Sequence, residues 1–353
     1  ASRGSVSMTS SMLLSITTFI YGLAAVLYIA GWIFHRPQAA RLGTWSVWVA
    51  VAGNAAGFLL RWIESYRMGI GHAPLSNLYE SLVFFAWTIG VSHLVIEYRY
   101  RNRVIGAFTL PLAFLAMAYA SLSPHVSDRI QPLIPALKSN WLIAHVITCF
   151  IGYAAFAVGF GLSIMYLLNK IAAAADGRSA ERRTADVLVL QFFLVGLGLI
   201  LFRFILGWSF GAGLAGAVLL AAVVDLAAWT LGRQQRVRDE LFARFPEPSL
   251  MDLLTHQTVM FGFVFLSVGI ITGAIWANSA WGRYWGWDPK ETWSLITWFV
   301  YAALLHARLM RGWQGRRIAY LSILGFVAVL FTYFGVNLLP GLHSYGAMGQ
   351  QLR

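Results

Sequence analysis

Residues 257–277 read QTVMFGFVFLSVGIITGAIWA, twenty-one consecutive positions without a charged side chain. A helix needs about 20 mainly apolar residues to cross the hydrocarbon core of a bilayer, so this stretch reads as a membrane span. A polar, tryptophan-rich stretch follows it, NSAWGRYWGWDPK at 278–290, and then a second apolar run at 291–309. Working outward, the same criterion gives ten candidates: 12–34, 43–62, 78–97, 104–121, 141–168, 187–206, 211–231, 257–277, 291–309 and 317–337. The expected fold is an all-α polytopic membrane bundle of about ten transmembrane helices, one integral domain over residues 1–353. Composition agrees. Hydrophobic residues make up 59% and charged residues 11% of the chain, against roughly 45–50% and about 25% in soluble proteins. A water-soluble surface needs more charge than this, which argues against a soluble enzyme, a disordered regulator or a nucleic-acid binder. The single cysteine, Cys149, leaves no internal disulfide framework and no CxxC motif. The first apolar run is long enough to span and shows no small-residue cleavage site, so no cleavable signal peptide is expected.

The formal net charge is +12, and its placement carries the orientation. Segments 35–42, 98–103, 169–186, 232–256 and 310–316, with Arg308 and Arg317 at the adjoining span ends, hold 17 of the 26 Lys and Arg residues. Positive charge gathers on the cytoplasmic side, which puts these segments inside and both termini outside. Three outer segments exceed simple connections: 63–77, the proline-rich 122–140, and 278–290. Inside, 233–249 fits a short amphipathic interfacial helix with Leu241, Phe242 and Phe245 on its apolar side.

The outer stretch 278–293 concentrates Trp281, Trp285, Trp287 and Trp293 around two glycines and an Asp288-Pro289 turn. Tryptophan settles at membrane interfaces in any protein, so an aromatic belt is one reading. A ledge for a flat apolar ligand of porphyrin size is the other, and composition alone leaves both open. If the stretch is locally helical, Trp281 and Trp285 share a face with Asp288 near it. Arg283 and Lys290 stand where a ligand's carboxylates would be met. Asp288 and Glu291 also fit as caps of the following helix, because acids near a helix N-terminus are favoured.

Two of the eight histidines flank this stretch on the outer side: His145 opens the fifth span in NWLIAHV, and His343 follows the tenth in LPGLHSYG. Two imidazoles from different helices with an aromatic surface between them are what bis-axial haem ligation requires. His306 lies late in the ninth span beside Arg308. An ionisable group inside a span is a functional candidate, with snorkelling to the inner interface as the plainer reading. His93 competes for the same inner role. Cys149, one helical turn from His145, reads as a small apolar core residue.

The string WGRYWGWDPKETWSL at 281–295 resembles the tryptophan-rich signature of the haem-handling membrane proteins of cytochrome c maturation (the WWD family), in its CcsA or ResC branch. SNLYES at 76–81, NWLIAHV, VYAALLHARL and LLPGLHSYG extend the resemblance from the third span to the C-terminus. It implies haem b as ligand, held against the tryptophan-rich stretch by His145 and His343. It implies that His306 belongs to a second, inner haem site whose opposite ligand comes from a CcsB or ResB-type partner subunit. The implied function is the synthase step of system II. Haem is moved to the outer face and presented to the CxxCH thiols of apocytochrome c, with a thioredoxin-like thiol reductant supplying electrons. The setting it implies is the bacterial cytoplasmic membrane, with the thylakoid as the alternative. Two other functions stay open: a haem exporter without attachment activity, and a di-haem electron-transfer membrane subunit using His93 and His306.

Overall fold

The computed structural model describes residues 9–124, 126–133, 137–173, 180–232, 235–334 and 336. Every regular element among them is helical. In chain order they are α1 (Ser10–Ile33), α2 (Pro37–Arg67), α3 (Leu78–Tyr100), α4 (Gly106–Leu122), α5 (Asn140–Ala173), α6 (Ala180–Leu199), α7 (Phe210–Gly232), α8 (Gln235–Phe242), α9 (Pro248–Trp281), α10 (Pro289–Arg311) and α11 (Arg316–Tyr333). Nine stretches among the described residues are long and apolar enough to cross a membrane. Each coincides with one of the ten runs expected from sequence, and the remaining run, 211–231, is α7. Its described apolar part, Phe210–Leu226, is shorter. The chain is an all-α, multi-pass membrane helix bundle.

The helices form two compact units, Ala1–Pro132 with Leu167–Pro246, and Leu133–Tyr166 with Glu247–Arg353. In the first, α1 to α4 alternate in direction, and polar ties at opposite ends record it. Thr18 Oγ1, near the start of α1, lies 3.0 Å from Ser121 Oγ at the end of α4. Near the end of α2, Arg61 Nε donates to Glu80 Oε1 at 2.8 Å, at the start of α3, with both side chains almost wholly buried. Glu80 Oε2 accepts from both the backbone N–H and the hydroxyl of Ser76, and Asn77 caps α3 by accepting from Glu80 N at 2.9 Å. The SNLYES string is therefore a helix start clasped to a buried arginine. Arg61 also donates through Nη1 to the carbonyl of Asp128 at 2.7 Å, tying the segment after α4 to α2.

At the opposite end of this unit His93 is fully buried. Its Nε2 lies 3.1 Å from both Tyr28 Oη and Glu97 Oε2, and its Nδ1 lies 3.1 Å from Thr109 Oγ1. Glu97 also accepts from Thr44 Oγ1 at 2.6 Å, so one buried network joins α1, α2, α3 and α4. Buried polar groups demand partners, and these have them. The helix expected over 233–249 ends at Phe242, so Phe245 lies beyond α8 rather than on its apolar side. Trp32 Nε1 donates to the carbonyl of Leu241 at 2.9 Å, and Phe245 packs on Trp32 and Phe108.

The second unit combines the first part of α5 with α9, α10 and α11. At 34 residues, α9 is about 51 Å long at 1.5 Å per residue, enough to overreach a core of about 30 Å at both ends. Phe156 of α5 stacks on Tyr301 of α10, and Phe160 on Phe326 of α11. Thr297 Oγ1 meets Thr332 Oγ1 at 3.0 Å. At one end Arg308 of α10 pairs with Asp252 of α9, whose other oxygen accepts from Gly315 N at 2.8 Å. The tryptophan-rich stretch and the start of α5 lie at the other end.

Candidate functional site

The stretch after α9 does not continue as a helix. Gly282 stops it with φ 73°, its N–H bonding back to the Asn278 carbonyl at 2.9 Å. A left-handed residue after the last turn suits glycine, which has no Cβ to clash. The expectation that Trp281 and Trp285 share a helical face is thereby corrected. Trp281 instead lies edge-on to Trp276, with ring centres 4.8 Å apart. Trp285 lies edge-on to Trp287 at 5.9 Å. Trp287 itself has φ 56°, an uncommon conformation for a bulky L residue, and its indole is 70% exposed. Trp293 belongs to α10 and leans on Phe331 at 4.0 Å.

Asp288 is the N-cap of α10. Its carboxylate accepts from Lys290 N at 3.0 Å, and Pro289 occupies the first helical position. Glu291 completes a capping box and reaches back across the stretch, accepting from Gly286 N at 2.7 Å and Asp288 N at 3.2 Å. The carboxylates thus fold the segment that carries the tryptophans. Asp288→Ala is expected to cost about 1 kcal/mol, the usual worth of an N-cap, while Asp288→Asn keeps the cap. Thermal unfolding of the two variants in detergent checks this. Arg283 is exposed and Lys290 half-buried. Among the described residues neither lies within ion-pair distance of a carboxylate, although Asp288 acts electrostatically on Lys290. The Arg283 guanidinium crosses Gly286 so closely that a Cβ there would lie 2.8 Å from its Cζ.

His145 sits in the first turns of α5, half-buried. Its Nδ1 is 2.7 Å from the carbonyl oxygen of Gly269 on α9. A carbonyl can only accept, so Nδ1 carries a proton. The ring lies nearly parallel to Trp276, 6.2 Å between centres and 19° between planes. Trp276 is 3% exposed and forms a small core with Leu137 and Leu142, against which Trp281 packs. Sequence reading missed Trp276, which looks like one more interfacial aromatic. It also missed Gly269 and Gly273, though their spacing is a close-packing signature of membrane helices. Cys149 is buried, its Sγ 3.6 Å from His145 Nδ1.

His343 lies outside the described residues, as does His125. The end of α11, from which the chain runs on to His343, is at the His145 end of the unit, where Tyr333 meets Phe150 with ring centres 5.5 Å apart. His306 is exposed on α10, in line with Ile296, Phe299 and Met310, which are also exposed. Arg308 is engaged with Asp252 and with the Trp313 carbonyl. His93 has both ring nitrogens hydrogen-bonded, which leaves it poorly placed as a metal ligand.

A histidine donating through Nδ1 to a backbone carbonyl, an aromatic ring parallel to it, the exposed indole of Trp287 and the cations Arg283 and Lys290 of the same stretch together fit an iron porphyrin. Comparison with known proteins agrees in kind. The family described as Cytochrome C assembly protein matches residues 75–343. Among curated relatives, the chain is 42% identical over 307 residues to the "Cytochrome c biogenesis protein CcsA" of Synechococcus elongatus, covering 86% of this chain and 87% of that one. The protein of the same name in Microcystis aeruginosa is 39% identical over 327 residues (92% and 93%). That of Nostoc punctiforme is 39% identical over 342 residues (92% and 94%).

Proposed function

The chain belongs to the cytochrome c assembly protein family, and on that premise we propose that it is the haem-presenting subunit of a cytochrome c synthase. It works in cytochrome c maturation, with haem b as the group it handles. In this reading His145 and His343 would hold the iron at the outer face. Trp281, Trp285, Trp287 and Trp293 supply the apolar ledge, and Arg283 and Lys290 meet the propionates. Asp288 and Glu291 hold the ledge in shape. The orientation follows from charge, since the arginine-rich segments face the cytoplasm and place the tryptophan-rich stretch outside. The membrane is the bacterial cytoplasmic membrane, with the thylakoid as the alternative.

The observation that carries the reading is the Nδ1 bond of His145 to Gly269 beside the tryptophans. A metal-ligating histidine donates its second ring nitrogen to a carbonyl or carboxylate in this way. His306 supports a second, inner site. An exposed imidazole on an otherwise apolar helix stripe is costly in lipid unless something meets it, and a CcsB or ResB-type subunit bringing the opposite ligand would do so.

When bound, haem supplies two vinyl groups, across each of which one cysteine S–H of the apocytochrome adds to give a thioether without net oxidation. The part of this chain is positional. It would hold the haem within reach of the apocytochrome thiols, which lowers a bimolecular barrier. A thioredoxin-like reductant keeps the thiols reduced.

Co-expression with a CcsB-type subunit and a CxxCH reporter tests the proposal. Covalent haem on the reporter, lost when this chain is omitted, is expected. Haem delivered only non-covalently would replace synthesis by export.

A further inference from the structure

We propose that Gly269 and Gly273 of α9 are positioning residues for His145, the first giving its carbonyl to Nδ1 and the second giving the imidazole room to lie against α9. This rests on the reading of His145 as an iron ligand, and it assigns the element that sets the ligand's tautomer and donor strength. The two glycines are one helical turn apart and present one face to α5. At Gly273 a Cβ would stand 2.6 Å from His145 Nδ1 and 2.8 Å from Cε1. Real Cβ contacts do not come this close, so any side chain there displaces the ring. At Gly269 a Cβ would stand 2.5 Å from Cys149 Sγ and 3.2 Å from the Cys149 backbone N. Without side chains at both positions, the helices approach until an α9 carbonyl reaches the imidazole at 2.7 Å.

That carbonyl is shared. The single hydroxyl proton of Thr272 also reaches it, with Oγ1 at 3.0 Å, shared with the Val268 carbonyl at 2.9 Å. A carbonyl with two lone pairs accommodates both donors, but each weakens its acceptance from the other. Thr272 therefore moderates how far Nδ1–H is polarised, and so how strongly Nε2 donates to iron. A stronger Nδ1–H···O bond makes the ring a better donor and favours ferric iron.

The test uses the full chain purified with haem in mild detergent. It follows the rate of haem loss to excess apomyoglobin and the haem midpoint potential. Gly273→Ala is expected to speed haem loss by about tenfold or more, the scale of second-sphere effects on metal sites. Gly262→Ala is the packing control. It crowds the same helix pair, its Cβ meeting Phe156 at 2.6 Å, but on a part of α9 that does not touch His145, and it is expected to release haem at the wild-type rate. Thr272→Val, a near-isosteric change, is expected to lower the midpoint potential. Equal haem loss from Gly273→Ala and Gly262→Ala, or a potential that does not fall in Thr272→Val, overturns the proposal. Should Gly273→Ala fail to fold, Thr272→Val decides alone. His145→Ala separates the two levels: if that variant keeps its haem unchanged, the ligand reading itself fails.

Discussion

His145→Ala is expected to weaken haem retention by about a hundredfold or more, beyond the range of a second-sphere change, while the bundle stays folded. The physical reason for the split is local. The imidazole is half-buried at a helix start, and removing it leaves the Gly269 carbonyl still within reach of the Thr272 hydroxyl, which it shares with the Val268 carbonyl. The small core of Leu137, Leu142 and Trp276 is untouched by the change. Haem content per chain, read beside helical content and melting temperature, checks both halves. Loss of haem together with loss of helix would assign His145 to the fold instead.

The largest stability effect is expected at the opposite extreme of chemistry, in Glu80→Ala. It leaves the Arg61 guanidinium charged, 2% exposed and without its Nε partner. Breaking a buried ion pair from one side costs about 3–5 kcal/mol, because the remaining charge is stranded. Arg61→Met combined with Glu80→Leu removes both charges and is expected to melt above the single variant, since an apolar pair of similar volume carries no desolvation penalty. A Glu80→Ala protein melting like the wild type would show that the pair does not hold α2 to α3.

These two residues also show what the sequence makes legible. The spans follow from runs of apolar residues, because in lipid only helices satisfy the backbone over such lengths. The expected spans fall on observed helices, though 34 and 206 lie just past helix ends and 337 lies outside the described residues. The softest agreement is at 187–206, where α6 gives way to a π-helical turn at Ile200–Ile205, a ladder shift that hydropathy does not register. Glu80, Asp288 and Glu291 stand in strings that resemble a haem-handling family, and that resemblance does not separate ligand contact from capping. The hydrogen bonds show what each holds in the fold: Glu80 clasps Arg61 and Ser76, while Asp288 and Glu291 close the start of α10. Conversely, the tryptophan spacing alone suggests a shared helical face, whereas Gly282, directly after a long apolar run, is the residue that stops the helix.

His145 was legible through its company rather than its geometry. Sequence placed it near the tryptophans, but the facts that make it a suitable ligand come from a helix more than a hundred residues away. The glycine pair at 269 and 273 was the available signal, and it concerns backbone approach, which hydropathy patterns do not record. His306 gives the complementary case: it is exposed on α10, which hydropathy alone does not reveal.

The most direct test of the outer site is the ferric electron paramagnetic resonance spectrum of the chain purified with its haem, compared with His145→Ala and His343→Ala. Iron held by two imidazoles gives a low-spin signal, and removing either ring is expected to convert the outer haem to a high-spin form. A low-spin signal that persists undiminished in both variants would contradict haem ligation by His145 and His343.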